Sequence, residues 1–555
     1  MRKLQLSISV VTISLYPLLF ACRFYILKTL EKIGHNERRG SSMKLVTVEQ
    51  IREIDLFAIE EFGISSTTLM SNAAEHIAKA AMEQIPTGGN AIVFCGIGNN
   101  GGDGIGAAAY LIDKGIPVRT ILIGNEKKLS YDAKAMLKRL KAASGSLEPF
   151  SPSPDLYHQL NSCDVIIDAI FGVGLNSDLN EDALNAVSLI NRSNATVISV
   201  DIPSGVHADT GEILGDAVKA DITITFSLAK PGHFVEPGCV SCGELRVCDI
   251  GIPEDVLDRT ISHMYAASPG EIHLPRRRLD THKGDYGRAL ILAGSIGYTG
   301  APALAARAAT RMGAGLVSVG VPKSIYNIMA TKLDEEMPFP LPENKKGMIS
   351  TAATKEILER VAKSDVCLIG PGLGRSDDIA ELVQAITHST EIPVVIDADG
   401  LNAIAGNIEI LNNATCPLIL TPHPGEFERL VGDLSEDDED APMDRLSIAC
   451  EFATKHGCIL VLKGHRTIIA LPNGIAYINT TGGPAMAKGG TGDVLAGMIT
   501  ALIAQKLPIV HAVAVAVYIH GLAGDMCAEK LSDYCVTASD IIAMLPQAVQ
   551  KIEIV

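Results

Sequence analysis

The chain has 555 residues, a formal net charge of −17 and 47% hydrophobic residues. At about 100–200 residues per domain, that length implies two large domains or three to four small ones, with enough apolar sequence for a large core. The acidic balance argues against a broad nucleic-acid surface; small anionic ligands stay compatible with it, because backbone amides hold phosphate without Lys or Arg. With 51 glycines, 4% aromatic residues and no Trp, the composition suits an α/β enzyme with many tight strand–helix turns. The 12 cysteines are scattered. Only Cys239 and Cys242 form a C-x-x-C, and no second pair lies at zinc spacing, so reduced thiols in a cytosolic enzyme are expected.

Residues 1–42 stand apart. Arg2 and Lys3 precede an apolar run from Leu4 to Cys22 that has the pattern of a signal peptide, with "LLFAC" as an imperfect lipobox. A start at Met43 competes with export and is favoured, because "MKLVTVEQIREID" opens with a strand or cap followed by a helix. A cytoplasmic location is expected, with export left open by this segment. Beyond it no uninterrupted apolar run reaches about 18 residues, so no internal membrane span is expected.

From Met43 to about residue 265, apolar strings alternate with helical ones. "NAIVFCG" (90–96), "VRTILIG" (118–124), "DVIIDAIFG" (164–172), "ATVISVDIPSG" (195–205) and "DITITFS" (221–227) read as buried strands. Residues 74–84, 104–114 and 131–143 read as helices. Such continuous apolar strands form a parallel sheet covered on both faces, and ligands sit at its carboxyl ends. One of those ends carries "CGIGNNGGDGIGAA" (95–108), which contains G-x-G-x-x-G. A dinucleotide fingerprint needs a helix straight after the third glycine and an acid about 20 residues on. Here the turn is expected to run on through Gly104, and Leu122 to Asn125 offer no acid. Asn99, Asn100 and Asp103 are the informative residues, and the glycines are expected to let them approach a ligand. Asp168 and Asp201, at other strand ends, are costly to bury unless paired, bound to a cation or used in proton transfer. Asn100, Asp168 and Ser204 offer hard oxygens suited to an alkali or alkaline-earth ion.

A second α/β unit begins near residue 275. The acidic run Glu436–Asp440 is expected to be a solvated loop. "TTGGPAMAKGGTGDVLAGMITALI" (480–503) is the strongest motif. Gly489, Gly490, Thr491 and Gly492 would open a helix starting near Asp493, where free N–H groups form an anion hole. Asp493 stands there as a base toward a hydroxyl that attacks phosphorus. "LKGHRT" (462–467), "TPHPGE" (421–426, with His423 and Glu426) and "GPGLGR" (370–375) fall at further strand ends.

In order, "GNNGGDG", "DAIFGVG" and "VDIPSG" resemble the N-terminal YjeF domain, the NAD(P)H-hydrate epimerases. The resemblance implies that Asn99, Asn100, Gly101, Gly102 and Asp103 contact the hydrated nicotinamide nucleotide. It implies the same for Gly172, Val173, Gly174, Leu175, Asn176, Ser177, Asp178 and Asp201, and that Asn100, Asp168 and Ser204 hold K+. Ser71 and Ala74 depart from the family, which has an acidic residue and a glycine there; helix packing or a subunit contact is where that would tell.

"HKGDYGRALILAGSIGYTGAPALAA", "GPGLGR", "DADGLNAI", "TPHPGE", "LKGHRT" and "GGTGDVLAG" resemble the C-terminal YjeF domain, the NAD(P)H-hydrate dehydratases. That resemblance implies nucleotide contacts from Lys463, Gly464, His465, Arg466, Thr467 and the 482–492 loop. It implies substrate contacts from Ala301, Gly372, Gly374, His423 and Asp493, and Mg2+ with the nucleotide.

The expected fold is α/β in two domains, a Rossmann-like three-layer sandwich over 43–265 and a ribokinase-like domain over 275–555. The expected function is epimerisation of R and S NAD(P)H hydrates, with Asp201 as acid/base, and dehydration of the S form using ADP or ATP through Asp493, with release of AMP and phosphate where ADP is used. A homo-oligomer is expected, with no nucleic-acid partner and no membrane partner for the mature domains. Three other readings compete: a ribokinase-like small-molecule kinase fused to a nucleotide-binding domain, a nucleotide-sensing scaffold with dead sites, and an NAD-dependent dehydrogenase. The intact Asp103, Asp201 and Asp493 argue against the scaffold, and the missing ribose acid and redox residues against the dehydrogenase.

Overall fold

A computed structural model describes residues 43–432 and 444–555. The segment 1–42 and the acidic run Glu436–Asp440 lie outside the described residues. Two compact units are present, one built on Met43–Ala266 and one on residues 267–432 and 447–555.

The first unit contains β1 (Met43–Leu45), β2 (Ala91–Cys95), β3 (Val118–Leu122), β4 (Leu147–Pro149), β5 (Val165–Ala169), β6 (Thr196–Val200), β7 (Ile222–Phe226), β8 (Glu244–Cys248) and β9 (Met264–Ala266). Its main sheet runs β4-β3-β2-β5-β6-β7-β8, all parallel, while β1 and β9 pair antiparallel outside it. Every residue of β2 and β5 is buried, as strands covered on both faces require. Val93 and Cys95 point to the helices Ser66–Gln84, Asn99–Asp113 and Tyr131–Ala142. Ile92 and Phe94 point the other way, to Pro154–Leu160 and Glu181–Asn191. Strand order reverses between β2 and β5, so their carboxyl ends open a crevice at the switch point.

The helix after β2 starts at Asn99, five residues earlier than the sequence pattern predicts, with Gly98 as its N-cap. The glycine-rich turn does not run on, and the reason is packing. A Cβ on Gly101 would stand 1.9 Å from the Gly96 carbonyl oxygen, and one on Gly104 2.4 Å from the Ala169 Cβ. One on Gly106 would stand 2.7 Å from the Ala74 Cβ. The glycines therefore let this helix lie directly on β5 and on the helix Ser66–Gln84, which corrects the expectation that they mainly admit a ligand. Ala74 is 1% exposed, and the bare Gly106 opposite makes room for it. We expect Gly104→Ala to lower stability by about 1–3 kcal/mol, because overpacking outweighs the gain of about 1 kcal/mol in helix propensity; an unchanged urea midpoint would contradict this.

The second unit contains β10 (His273–Leu274), β11 (Arg288–Leu292), β12 (Leu316–Pro322), β13 (Met337–Leu341), β14 (Val366–Ile369), β15 (Val394–Ile396), β16 (Leu418–Leu420), β17 (Ile459–Leu462), β18 (Ile468–Ala470), β19 (Ala476–Ile478) and β20 (Glu553–Ile554). Strands run β19-β18-β17-β16-β15-β14-β11-β12-β13, parallel except for the β17–β18 and β18–β19 pairs. β10 and β20 pair apart from them. Here the order reverses between β11 and β14.

The helices Gly300–Arg311 and Thr491–Ala504 cross at backbone distance, where a Cβ on Gly497 would meet the Ala305 carbonyl oxygen at 2.1 Å. Helix Ile509–Leu531, with mean hydropathy 1.5 over 18 residues, has the length and apolar character of a membrane span, which the sequence reading did not expect. In the structure its Val513, Ala516, Ile519 and Ala523 are buried in the core shared with Thr491–Ala504 and Ala538–Val549.

Candidate active sites

At the first unit's switch point lies a cavity of about 560 Å³. Asn99, Asn100 and Asp103 reach it from the helix after β2, Gly172 to Leu175 from the loop after β5, and Asp201 from the end of β6. Gly101 and Gly102 face inward to packing contacts instead, and Asn176, Ser177 and Asp178 are exposed outside the cavity wall.

Asp201 has left-handed backbone (φ 65°), a costly conformation for a non-glycine residue that the surrounding contacts hold in place. Its Oδ1 accepts hydrogen bonds from Lys230 Nζ at 2.5 Å and Thr225 Oγ1 at 2.9 Å. Lys230 is 2% exposed and also donates to Thr225. The Lys230 amide donates to His233 Nδ1, so His233 carries its proton on Nε2 and donates to the Asp201 carbonyl. Burial holds His233 near 4, and it is neutral. Burial works to raise the Asp201 carboxyl, but the charge and hydrogen bond of Lys230 outweigh it and hold the group below its ordinary range. Asp55 and Asp132 share the cavity wall.

Asp168 is fully buried. Its oxygens accept from Ser199 Oγ, Ser204 Oγ, and the Ser204 and Ile170 amides, so hydrogen bonds orient this carboxylate and it is not a helix cap. Nearby, the Asn100 side-chain amide is buried with neither its oxygen nor its nitrogen hydrogen-bonded, and a Cβ on Gly172 would stand 2.9 Å from that oxygen.

The second unit gathers its polar residues at the carboxyl ends of β15, β16 and β17. Lys463 Nζ lies 2.8 Å from Asp397 Oδ1 and 4.0 Å from Glu426 Oε2, and Thr421 donates to the same Asp397 oxygen. Asp399 accepts the Gly374 amide. Helix Thr491–Ala504 begins two residues before Asp493, capped by Gly490 in left-handed backbone (φ 96°) with no side-chain cap, so its first amides face outward. A Cβ on Gly492 would stand 3.2 Å from Lys463 Nζ, which puts that lysine at the helix mouth. Burial first, then Asp397, pushes the Asp493 carboxyl up to about 7, against the pull of Lys463. Below Thr491 sits His520, neutral because burial holds it near 4.

Gly372 abuts Ala301, their Cβ positions 3.2 Å apart, and a Cβ on Gly374 would stand 3.7 Å from Ser295 Oγ. His423 caps helix Pro424–Val431, its Nε2 3.4 Å from Glu426 Oε1 and its side chain 53% exposed. The β17–β18 turn carries Gly464, His465, Arg466 and Thr467; Arg466 Nη1 donates to the Thr480 carbonyl, just after β19.

Residues 66–232 match the family model described as YjeF-related protein N-terminus, and residues 289–547 the one described as NAD(P)H-hydrate dehydratase. A bifunctional NAD(P)H-hydrate repair enzyme from Moorella thermoacetica is 39% identical over 520 residues, covering 92% of this chain and 97% of the relative. The chain belongs to the bifunctional NAD(P)H-hydrate repair enzymes. A second such relative, from Thermofilum pendens, is 39% identical over 512 residues, with the same coverage. The Bacillus subtilis ADP/ATP-dependent NAD(P)H-hydrate dehydratase, crystallised with ATP and Mg2+, is 31% identical, covers 50% of this chain and 95% of its own, and has a TM-score of 0.42.

The strand-end motifs mark both candidate sites in the sequence, but not the further residues that the structure places beside them. Thr225 lies in β7 and Lys230 and His233 in the turn after it, while Asp55 and Asp132 come from helices with ordinary amphipathic patterns. Asp397 and Asp399 sat unassigned inside "DADGLNAI". Their place in that motif, directly after a three-residue apolar strand, is the signal that points to them.

Proposed function

We propose that the first unit interconverts the R and S hydrates of NAD(P)H and the second dehydrates the S hydrate using ADP or ATP. The observation that carries the second half is Asp493 at an open helix mouth beside Lys463, with a carboxyl balanced near neutral pH. In the hydrate a hydroxyl sits on C6 of the nicotinamide ring. Asp493 takes the hydroxyl proton as the oxygen attacks the terminal phosphorus of the nucleotide. The helix amides and Lys463 stabilise the charge that develops. The C6 phosphate ester then leaves as phosphate, C5 loses a proton, and the C5–C6 double bond returns. Phosphate is a far better leaving group than hydroxide, which gives a kinase-like site its use in a dehydration.

Mg2+ fits the carboxylates of Asp397 and Asp399, hard oxygen donors of the kind that share this ion with phosphates; when bound it neutralises phosphate charge. K+ fits Asn100, Asp168 and Ser204, whose donors are oxygens and include an Asn100 oxygen without a partner; when bound it supplies positive charge beside the cavity. In the first unit Asp201 is the proton-transfer group, with Oδ1 held by Lys230 and Thr225 and Oδ2 without a hydrogen bond among the described residues.

The test is incubation of the full chain with mixed R and S hydrates and ADP. The expected result is complete recovery of reduced-nicotinamide absorbance, with AMP and orthophosphate formed in step. With Asp201→Asn we expect recovery to stop once the S form is consumed. A stable phosphorylated substrate instead of orthophosphate would make the second unit a kinase.

A further inference from the structure

The cavity of the first unit holds more acid than its ion pair needs. Asp55, Asp103, Asp132 and Asp201 all line it, with Lys230 as the single buried cation and Arg52 on the wall. Their environments differ. Asp201 is paired to Lys230. Asp132 accepts a hydrogen bond from Ser66. Asp55, on the helix Val48–Glu60, lines the same cavity and has no hydrogen bond or ion pair among the described residues.

Epimerisation at C6 needs two proton-transfer groups. The hydroxyl must leave from one face of the ring and water must return to the other. One group must give a proton to the departing oxygen, and another must take one from the arriving water. Resting on the reading of this cavity as the epimerase site, we propose that Asp55 is the second catalytic residue, a general acid working opposite the general base Asp201.

In the R to S direction Asp55 protonates the C6 hydroxyl. The C6–O bond breaks, water departs, and the ring nitrogen lone pair forms a C6=N iminium. Water then adds to the opposite face, the electron pair returns to nitrogen, and Asp201 takes the proton of the adding water. The S to R direction runs the same steps with the two roles exchanged, and exchange with cavity water resets the protons. Two carboxyls whose surroundings push them apart in acidity are the usual signature of such an acid and base. Burial, the first cause, raises Asp55 to about 6; Lys230 opposes that and Asp201 adds to it. Asp103 is also raised, by its burial and then by Asp201, Asp55 and Asp132. His233 is held neutral and its Nε2 proton is committed to the Asp201 carbonyl.

The experiment uses the full chain with R hydrate and no nucleotide, so that only epimerisation is read, by chiral separation of the hydrates. Asp55→Asn is expected to lower kcat for epimerisation by about 10²–10⁴-fold. Asp55→Glu recovers part of the loss. In the wild type kcat/KM falls as pH rises through about 6, because the acid loses its proton, and in Asp55→Asn that limb disappears. Dehydration of the S hydrate with ADP and the thermal midpoint, both measured on the same sample, report folding. A folded Asp55→Asn protein with wild-type kcat and an unchanged pH limb overturns the proposal. If Asp201→Asn is meanwhile inactive, only the role of Asp55 has failed; if Asp201→Asn is also fully active, the reading of the cavity as the epimerase site has failed with it.

Discussion

Asp493→Asn should abolish dehydration of the S hydrate and at the same time make the protein harder to unfold. The activity loss follows from removing the base at the helix mouth, about 10²–10⁴-fold for a positioned proton acceptor. The gain in stability follows from the sign of the acidity shift. Burial and Asp397 push this carboxyl from 3.8 up to about 7, so folding disfavours its charged form. Its charge therefore costs stability once pH rises above the unfolded value of about 4, and the full cost is felt above about 7. About three units at about 1.4 kcal/mol each set a ceiling of about 4 kcal/mol, and we expect a gain of about 1–4 kcal/mol at pH 8. The neutral amide removes that cost. Urea unfolding at pH 8 and pH 5 tests it: the difference between variant and wild type should shrink at pH 5. A variant less stable than the wild type at pH 8 would show that the carboxylate is stabilised where it sits. Wild-type dehydration should also fall as pH drops through about 7, as the base gains a proton.

Lys230→Met should destabilise the first unit by about 3–5 kcal/mol, the cost of leaving one charge of a buried pair without its partner. Lys230 is 2% exposed and donates to both Asp201 and Thr225, so no solvent replaces it. In the wild type the Asp201 carboxyl lies below its ordinary range, so its contribution is present above about pH 4 and is lost as pH falls through the lowered value. In the variant burial is opposed chiefly by the Thr225 hydrogen bond, so the carboxyl is expected to rise and stability to decline instead as pH rises from about 4. The double variant Lys230→Met with Asp201→Asn should recover most of the loss, because it removes the stranded charge as well. A single variant with the wild-type urea midpoint, or a double variant worse than the single, would show that the pair is not what holds this corner together. Epimerisation should fall in both.

The contrast between these two sites bears on what could be read without a structure. Asp493 was legible because its helix mouth is local: Gly489 to Gly492 and the acid are consecutive, and their spacing alone builds the anion hole. Asp201 and Asp168 were legible because a carboxylate at the end of an apolar strand stands out in one dimension. Lys230 was not, since a lysine in a loop is ordinarily solvated, and only the turn after β7 sinks this one beneath Asp201. Asp55 was not, since one acid on an amphipathic helix is ordinarily the polar face. The start of the glycine-rich helix was misplaced for a related reason. Four glycines argue against a helix at about 1 kcal/mol each relative to Ala, and that argument ignores the neighbours. Backbone and side-chain atoms of Gly96, Ala169 and Ala74 occupy the space where any Cβ would stand, so helix and glycines are required together.

The sequence by itself determined the parallel α/β architecture, because continuous apolar strands separated by helices leave few other ways to bury both sheet faces. It also determined which strand ends carry chemistry. Tertiary structure alone decided which carboxyls are paired and which stand unpaired, and so which proton each can move. Ionisation depends on burial and on charges within a few ångströms, and for Asp55, Asp201 and Lys230 those neighbours are brought together from positions 29 to 175 residues apart.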